Sequence, residues 1–276
     1  MITQKIDLYE YFKLKRNGAN GGYLTVYART ESVEMKKRLR PAILVLPGGA
    51  YAMLSDREGE PVALKFLEKG YVSFVLSYSL QTKYPTPLVE AQMAVAYIRD
   101  NAELYNADGK HVCAVGFSAG AHLTGLLATA KSDEAILKRS NNELKPNAVI
   151  LSYPVVTMDE FTHVGSRNNI SGGYEKLYEK LSVDKRVDEN SVPAFIWHTY
   201  EDEGVPMENS LMLASAYRKN NVPFALHIFE HGPHGLSLAD EETNIFSDKC
   251  RHLYKVGKWV DLAVDWLASR GFVRGK

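Results

Sequence analysis

A chain of 276 residues is long enough to bury one large core, and nothing along it reads as a linker that would divide it. Its 33 Lys and Arg residues balance 33 Asp and Glu residues, which argues against electrostatic capture of nucleic acid or of an anionic membrane and favours a small neutral substrate. The opening segment lacks a basic stretch followed by an apolar one, and no later run is apolar for the length of a membrane span, so the expected location is the cytoplasm.

Residues 22–28 (GYLTVYA) alternate in polarity and are expected to form an edge strand paired with the N-terminal segment. Six short apolar runs follow, at 42–46, 72–76, 112–115, 148–151, 194–197 and 224–229, and most are continuously apolar, as in strands covered on both faces. Between and after them, 58–69, 88–104, 119–130, 208–220 and 246–269 carry apolar residues at helical spacing, with Gly70, Gly109 and Gly271 as expected C-terminal stops. The alternation predicts an α/β fold, a mostly parallel central sheet with helices on both faces. The segment 155–191 breaks this rhythm. It holds Gly165, Gly172, Gly173 and many charges, with one short helical piece near 174–181, and it reads either as a small cap insertion that shapes a substrate pocket or as an ordinary long connection. Cys113 falls in a predicted buried strand and Cys250 lies far from it, so neither a disulfide nor a metal site is assigned to them.

Gly116-Phe117-Ser118-Ala119-Gly120 follows the apolar run 112–115 and precedes a helical pattern, the setting of a nucleophile elbow. Glycines on both sides let the chain fold back without a Cβ striking the neighbouring strand or helix. A serine hydroxyl also needs a base and a group that orients the base. Two later strand ends supply candidates: 194–197 leads into His198-Thr199-Tyr200-Glu201-Asp202-Glu203, and 224–229 into Glu230-His231-Gly232-Pro233-His234-Gly235. Asp202 is the proposed acid, against Glu201 and Glu203, and His234 the proposed base, against His231. His122, one helical turn beyond Ser118, suits a core hydrogen-bonding role, and His198 ends an apolar strand as a structural residue; His111, His163, His227 and His252 carry no partner signal. Oxyanion donors are expected from the paired glycines Gly48 and Gly49 after the first strong strand, and from Ala119 at the start of its helix. Tyr51, Tyr78, Tyr153 and Tyr174 fall near the same edge and could wall an acyl pocket or stack on a sugar, which makes Ala50, Tyr51 and Tyr153 the candidate substrate-binding residues.

Taken together, Pro47-Gly48-Gly49-Ala50-Tyr51, the elbow, Asp202 with Val205-Pro206, and His234-Gly235-Leu236 resemble the bacterial esterase/lipase group of α/β-hydrolases. Within it the likeness is to acetylxylan-esterase-like carboxylesterases related to the hormone-sensitive-lipase-like branch. The resemblance implies an α/β-hydrolase fold, Ser118 as nucleophile, Asp202 as acid, His234 as base, hydrolysis of short acyl esters without a cofactor, and a homo-oligomer, a dimer or larger. One departure concerns the oxyanion loop, where related lipases carry His-Gly-Gly-Gly: Pro47 replaces the histidine and Ala50 the third glycine, which preserves a backbone role but not an inference of substrate preference. Three rival readings are a small serine peptidase of the same fold, a silent ligand-binding homologue, and a metal hydrolase using His231 and His234. The last lacks helical spacing between its histidines.

Overall fold

The computed structural model describes residues 1–34, 37–244 and 253–272. Strands are β1 (Ile2–Asp7), β2 (Tyr23–Ala28), β3 (Arg40–Leu46), β4 (Val72–Ser77), β5 (Ala107–Phe117), β6 (Ala148–Ser152), β7 (Ala194–Thr199) and β8 (Phe224–Phe229). The helices in chain order are α1 (Leu8–Tyr11), α2 (Glu60–Glu68), α3 (Thr86–Asp100), α4 (Ala119–Thr129), α5 (Glu134–Leu137), α6 (Val164–Ser171), α7 (Tyr178–Leu181), α8 (Val183–Arg186), α9 (Glu208–Lys219), α10 (Tyr254–Gly257) and α11 (Trp259–Ala268). Cys250 and His252, and the first part of the helix expected over 246–269, lie outside the described residues.

The eight strands form one sheet in the order β1-β2-β4-β3-β5-β6-β7-β8. Residues 23–28 do pair with the N-terminal segment, as β2 antiparallel to β1, but β2 is not the edge strand expected: β1 takes the edge and covers it, and on its other side β2 runs antiparallel to β4, while every later pairing is parallel. Alternate residues of the central strands feed two cores. Leu44, Leu46, Ala114 and Leu151 pack with residues of α3, α4 and α9 on one face. Ile43, Val45, Val115, Phe117, Phe195 and Trp197 pack with residues of α2 and α11 on the other. This double covering is why the strands read as unbroken apolar runs, and why β8, at the sheet edge, is only half-buried. Burial also explains Cys113, which is fully enclosed, with its thiol pushed up by desolvation.

Two boundaries differ from expectation. Helix α3 stops at Asp100, and a 3-10 turn, Ala102–Tyr105, carries the chain to Asn106, which closes it in the left-handed region at φ 52°. Gly109 is therefore not a helix stop; it lies inside β5, which starts at Ala107 and pairs Ala107 with Arg40 across a bulge at Pro41 and Ala42. Gly70 and Gly271 do follow α2 and α11, at φ 93° and 88°. The segment 155–191 contains three short helices where one piece was expected. Its first, α6, runs over a stretch with no apolar periodicity, capped by the His163 ring, which accepts from the Ser166 N–H, and by Gly172 at φ 64°.

From β3 the chain steps to β4 on one side of the sheet, and then returns to lay β5 on the other. The loops leaving β3 and β5 consequently splay apart at their C-terminal ends, which opens a crevice where ligands bind in such sheets. Both Gly48-Gly49 and Ser118 lie at those ends.

Candidate active site

Ser118 stands between β5 and α4 with φ 52° and ψ −117°, a conformation costly for any residue with a Cβ. The fold-back brings the elbow backbone so close to its neighbours that side chains are excluded. A Cβ on Gly116 would lie 2.7 Å from the Ala121 Cα and would collide with Thr124, and one on Gly120 would run into the Leu46 and Pro47 carbonyls. Strand β6 fixes the turn from the other side, since the Ser118 N–H donates to the Ser152 carbonyl at 3.0 Å.

The three residues expected to act together are together. The Ser118 hydroxyl donates to His234 Nε2 at 2.8 Å, and His234 Nδ1–H donates to Asp202 Oδ2 at 2.7 Å. Asp202 is buried, and its other oxygen accepts the Gly204 and Val205 N–H groups at 3.0 and 2.8 Å. Burial pushes this carboxyl up, but the hydrogen bonds from His198 and His234, the charge of His234 and the Val205 N–H outweigh it and hold it down to about 2. It is a carboxylate at any working pH. The rivals are elsewhere: Glu201 accepts from His231 Nδ1 at 2.9 Å and from the Gly232 N–H at 3.0 Å, an exposed pair that ties two loops, and Glu203 is exposed.

Buried His198 does more than end a strand. Its Nδ1 faces the Ser210 hydroxyl at 2.8 Å, while Nε2 faces the Val205 carbonyl at 2.9 Å and Asp202 Oδ2 at 3.2 Å. A carbonyl and a carboxylate only accept, so Nε2 carries the hydrogen and Asp202 is gripped by two imidazoles. Among the remaining histidines, His111 pairs with Asp108 at 2.7 Å and His227 stacks on Phe195 with centroids 4.8 Å apart.

His122 takes the core role expected of it. It is fully buried between the Tyr51 hydroxyl, 2.7 Å from Nδ1, and the Leu181 carbonyl, 2.8 Å from Nε2. The carbonyl requires hydrogen on Nε2, so Nδ1 accepts from Tyr51. Burial, assisted by the charge of Arg186 and opposed by the Leu181 carbonyl, lowers this imidazole from 6.5 to about 4. Between those values the native chain binds fewer protons than the unfolded one, so stability falls as pH drops through that window. The loss attributable to His122 reaches about 3 kcal/mol. Urea unfolding at pH 7 and pH 4 is expected to show wild type losing that much more than His122→Gln, and equal losses in the two proteins would assign the acid sensitivity to other groups.

Three expectations require correction. Gly48 is not a free oxyanion donor, because its N–H already donates to Glu58 Oε2 at 2.8 Å. The N–H groups of Gly49 and Ala119 have no partner among the described residues and remain available at the elbow. Tyr51 and Tyr153 offer no open ring to a sugar, since they are 0% and 1% exposed and their hydroxyls are spent on His122 and Glu58. Tyr78 is also buried, with its hydroxyl on the Pro47 carbonyl at 2.6 Å. Ala50 remains half-exposed beside the site, its carbonyl held by Asn169 Nδ2 of α6 at 2.8 Å. Glu58 itself escapes sequence reading, because an acidic residue in a run of Ser, Asp, Arg, Glu and Gly is ordinarily solvated.

Comparison with known proteins adds a family and several relatives. The family model described as BD-FAE matches residues 30–217, a span that includes Ser118 and Asp202 and ends before His234. The chain is 40% identical to endo-1,4-beta-xylanase B of Butyrivibrio fibrisolvens over 215 residues, 74% of this chain and 33% of that protein. It is 34% identical to an acetylxylan esterase of Xylanibacter ruminicola over 206 residues, 71% of this chain and 41% of that protein. Thus it spans about a third to two fifths of the length of these curated relatives. Among solved structures, the acetyl ester-xyloside bifunctional hydrolase from Caldicellulosiruptor lactoaceticus superposes with a TM-score of 0.82 at 33% identity, over 98% of this chain and 97% of the other.

Proposed function

The chain belongs to the BD-FAE family of α/β-hydrolases, and on that premise we propose that it is a serine carboxylesterase, one that hydrolyses short acyl esters of the acetyl type, acetylated carbohydrates among them, through an acyl-enzyme. The observation that carries this reading is the continuous chain from Ser118 through His234 to Asp202, at 2.8 and 2.7 Å, beside the Gly49 and Ala119 N–H groups, which have no partner among the described residues.

In the reaction the Ser118 oxygen attacks the ester carbonyl while His234 Nε2 takes the hydroxyl proton, and Asp202 stabilises the imidazolium that forms. Negative charge developing on the carbonyl oxygen is met by the Gly49 and Ala119 N–H groups, the second reinforced by the positive end of α4. His234 then returns its proton to the leaving alcohol, and in the second half it activates water to release the acid and restore Ser118. All of these groups come from the chain itself, so the proposed chemistry calls for no cofactor. The segment 155–191 serves as a small cap: its α6 is bonded to Ala50, and Val155 N–H donates to the Ser118 carbonyl at 3.3 Å, so it frames the pocket that receives the acyl group. Among the described residues no helix is long and apolar enough to cross a membrane, and the equal numbers of basic and acidic residues support a small neutral ester as substrate.

The relatives' names point to acetyl groups on xylan-like sugars as the substrate class. Turnover of p-nitrophenyl esters is expected to be at least about tenfold higher for acetyl and butyryl than for long acyl groups, the order of discrimination that a site fitted to short acyl groups makes against added methylenes. Acetylated xylo-oligosaccharides should be deacetylated as well. Preference for long acyl chains would remove the short-acyl assignment, and cleavage of a proline-peptide amide without ester turnover would make the protein a peptidase.

A further inference from the structure

Among the described residues, Glu58 is the one whose carboxylate touches the oxyanion loop and, through a single hydroxyl, the loop of the base. It lies in a 3-10 turn, Asp56–Glu58, just after the glycine loop, and is only 3% exposed. Oε2 accepts the Gly48 N–H at 2.8 Å and Oε1 accepts the Tyr153 hydroxyl at 2.6 Å. The Tyr153 oxygen in turn accepts the Ser237 N–H at 2.9 Å, and the Tyr153 ring packs edge-on against His234 with centroids 5.0 Å apart. The neighbouring Arg57 adds two further ties to the same loop, one from its guanidinium to the Gly235 carbonyl at 2.8 Å and one from the Ser237 hydroxyl to its own carbonyl at 2.5 Å. A Cβ built on Gly48 would lie 2.7 Å from Glu58 Oε2 and 3.1 Å from the Ser118 Cβ, so carboxylate and nucleophile flank the same glycine.

Placing a carboxylate in this enclosed position is expensive, and a hydrophobic residue of similar volume would serve a merely structural purpose at least as well. The burial drives its carboxyl upward, against the opposing hydrogen bonds of Tyr153 and Gly48 and the charges of His234 and Arg57. What a carboxylate supplies and an apolar side chain does not is two directional acceptors at a fixed separation. Resting on the acyl-transfer reading, we propose that Glu58 and Tyr153 are positioning residues: they form one strut that sets the glycine loop and the His234 loop in register over Ser118. With the Gly48 N–H turned onto Glu58, the next N–H, that of Gly49, is left for the substrate oxygen. Neither Glu58 nor Tyr153 need touch the substrate for this.

The test is a double-mutant cycle with Glu58→Gln and Tyr153→Phe, assayed on p-nitrophenyl acetate alongside thermal unfolding of each variant. Each substitution keeps the side-chain volume and removes one end of the strut. Because a misplacement of about 1 Å can cost on the order of 100-fold, each single variant is expected to lose about 10- to 100-fold in kcat. KM should stay within about twofold, as for an interaction made in the transition state. The double variant should be no slower than the slower single one, since one strut is broken only once. Glu58→Asp, too short to reach both partners, should not restore kcat. The proposal is overturned if either single variant keeps kcat within about twofold, if the losses multiply, if KM alone rises, or if activity merely tracks the folded fraction. A wild type with no ester turnover overturns the acyl-transfer reading and the strut with it; an active wild type with unaffected variants overturns the strut alone.

Discussion

Replacing Ser118 by alanine is expected to lower the turnover of acetyl esters by about 10⁴-fold or more while leaving the fold intact. The hydroxyl is the only group at the elbow that can form a bond to an acyl carbon, and it already points its hydrogen at His234 Nε2 from 2.8 Å. Alanine has the same Cβ, so the elbow keeps its geometry and the change isolates the chemistry. Whatever activity remains would come from the Gly49 and Ala119 N–H groups and from binding alone. The same position carries a second, opposite expectation for stability. At φ 52° and ψ −117° any side chain is strained, so Ser118→Gly should be more stable than Ser118→Ala by about 1 kcal/mol, once the greater freedom of glycine in the unfolded chain is subtracted. A catalytic elbow held by its surroundings predicts both results: Ser118→Ala with a purified-protein kcat near wild type would remove Ser118 as nucleophile, and a glycine variant less stable than the alanine one would remove the strain.

The elbow was legible because backbone sterics leave so few solutions. Gly116 and Gly120 are forced by the closeness of the Ala121 backbone and the Leu46 and Pro47 carbonyls, and such forced glycines stand out in any sequence. The acid and the base were legible from a different signal, polar clusters delivered by apolar strands at the edge where ligands bind. What stayed hidden has a common cause, namely stabilisation by groups remote in the chain. Helix α6 has no apolar stripe, and it is held by its caps and by Asn169 on Ala50, 119 residues away. The first residues of β5, Ala107-Asp108-Gly109-Lys110-His111, contain no apolar run, and the strand starts there because Arg40 and Pro41 lie alongside. Glu58 reads as a surface acid until Tyr153, 95 residues on, is placed against it. The oxyanion loop illustrates a partial reading: paired glycines after a strand mark the place, but which N–H faces the substrate depends on which one a distant carboxylate has already taken.

Asp202→Asn is expected to reduce kcat by about 10⁴-fold, and the hydrogen bonds around the carboxylate say why so isosteric a change should cost so much. Every partner of Asp202 is a donor: His234 Nδ1 and His198 Nε2 on one oxygen, the Gly204 and Val205 N–H groups on the other. The backbone donors cannot turn, so the amide oxygen of asparagine is held there and its NH₂ faces the two imidazoles. His198 can keep its hydrogen on Nε2, because the Val205 carbonyl still accepts it at 2.9 Å. His234 has no such alternative; its Nδ1 must become the acceptor, which moves the hydrogen to Nε2 and points a donor, not a base, at the Ser118 oxygen. The wild-type carboxyl, held down to about 2, contributes stability that is complete above the ordinary aspartate range and is lost progressively as pH falls from that range to the low value, whereas in the folded protein Asp202 itself stays ionised, so its protonation does not limit activity at moderate acidity. A loop staple with no part in catalysis would behave otherwise: Asp202→Asn would then lower unfolding stability and leave kcat per folded molecule unchanged. Glu201→Gln provides the contrast within the same loop. Its carboxylate pairs with exposed His231, away from Ser118, and solvent screens such a pair, so kcat should stay near the wild-type value; a loss comparable to that of Asp202→Asn would transfer the role of acid to Glu201.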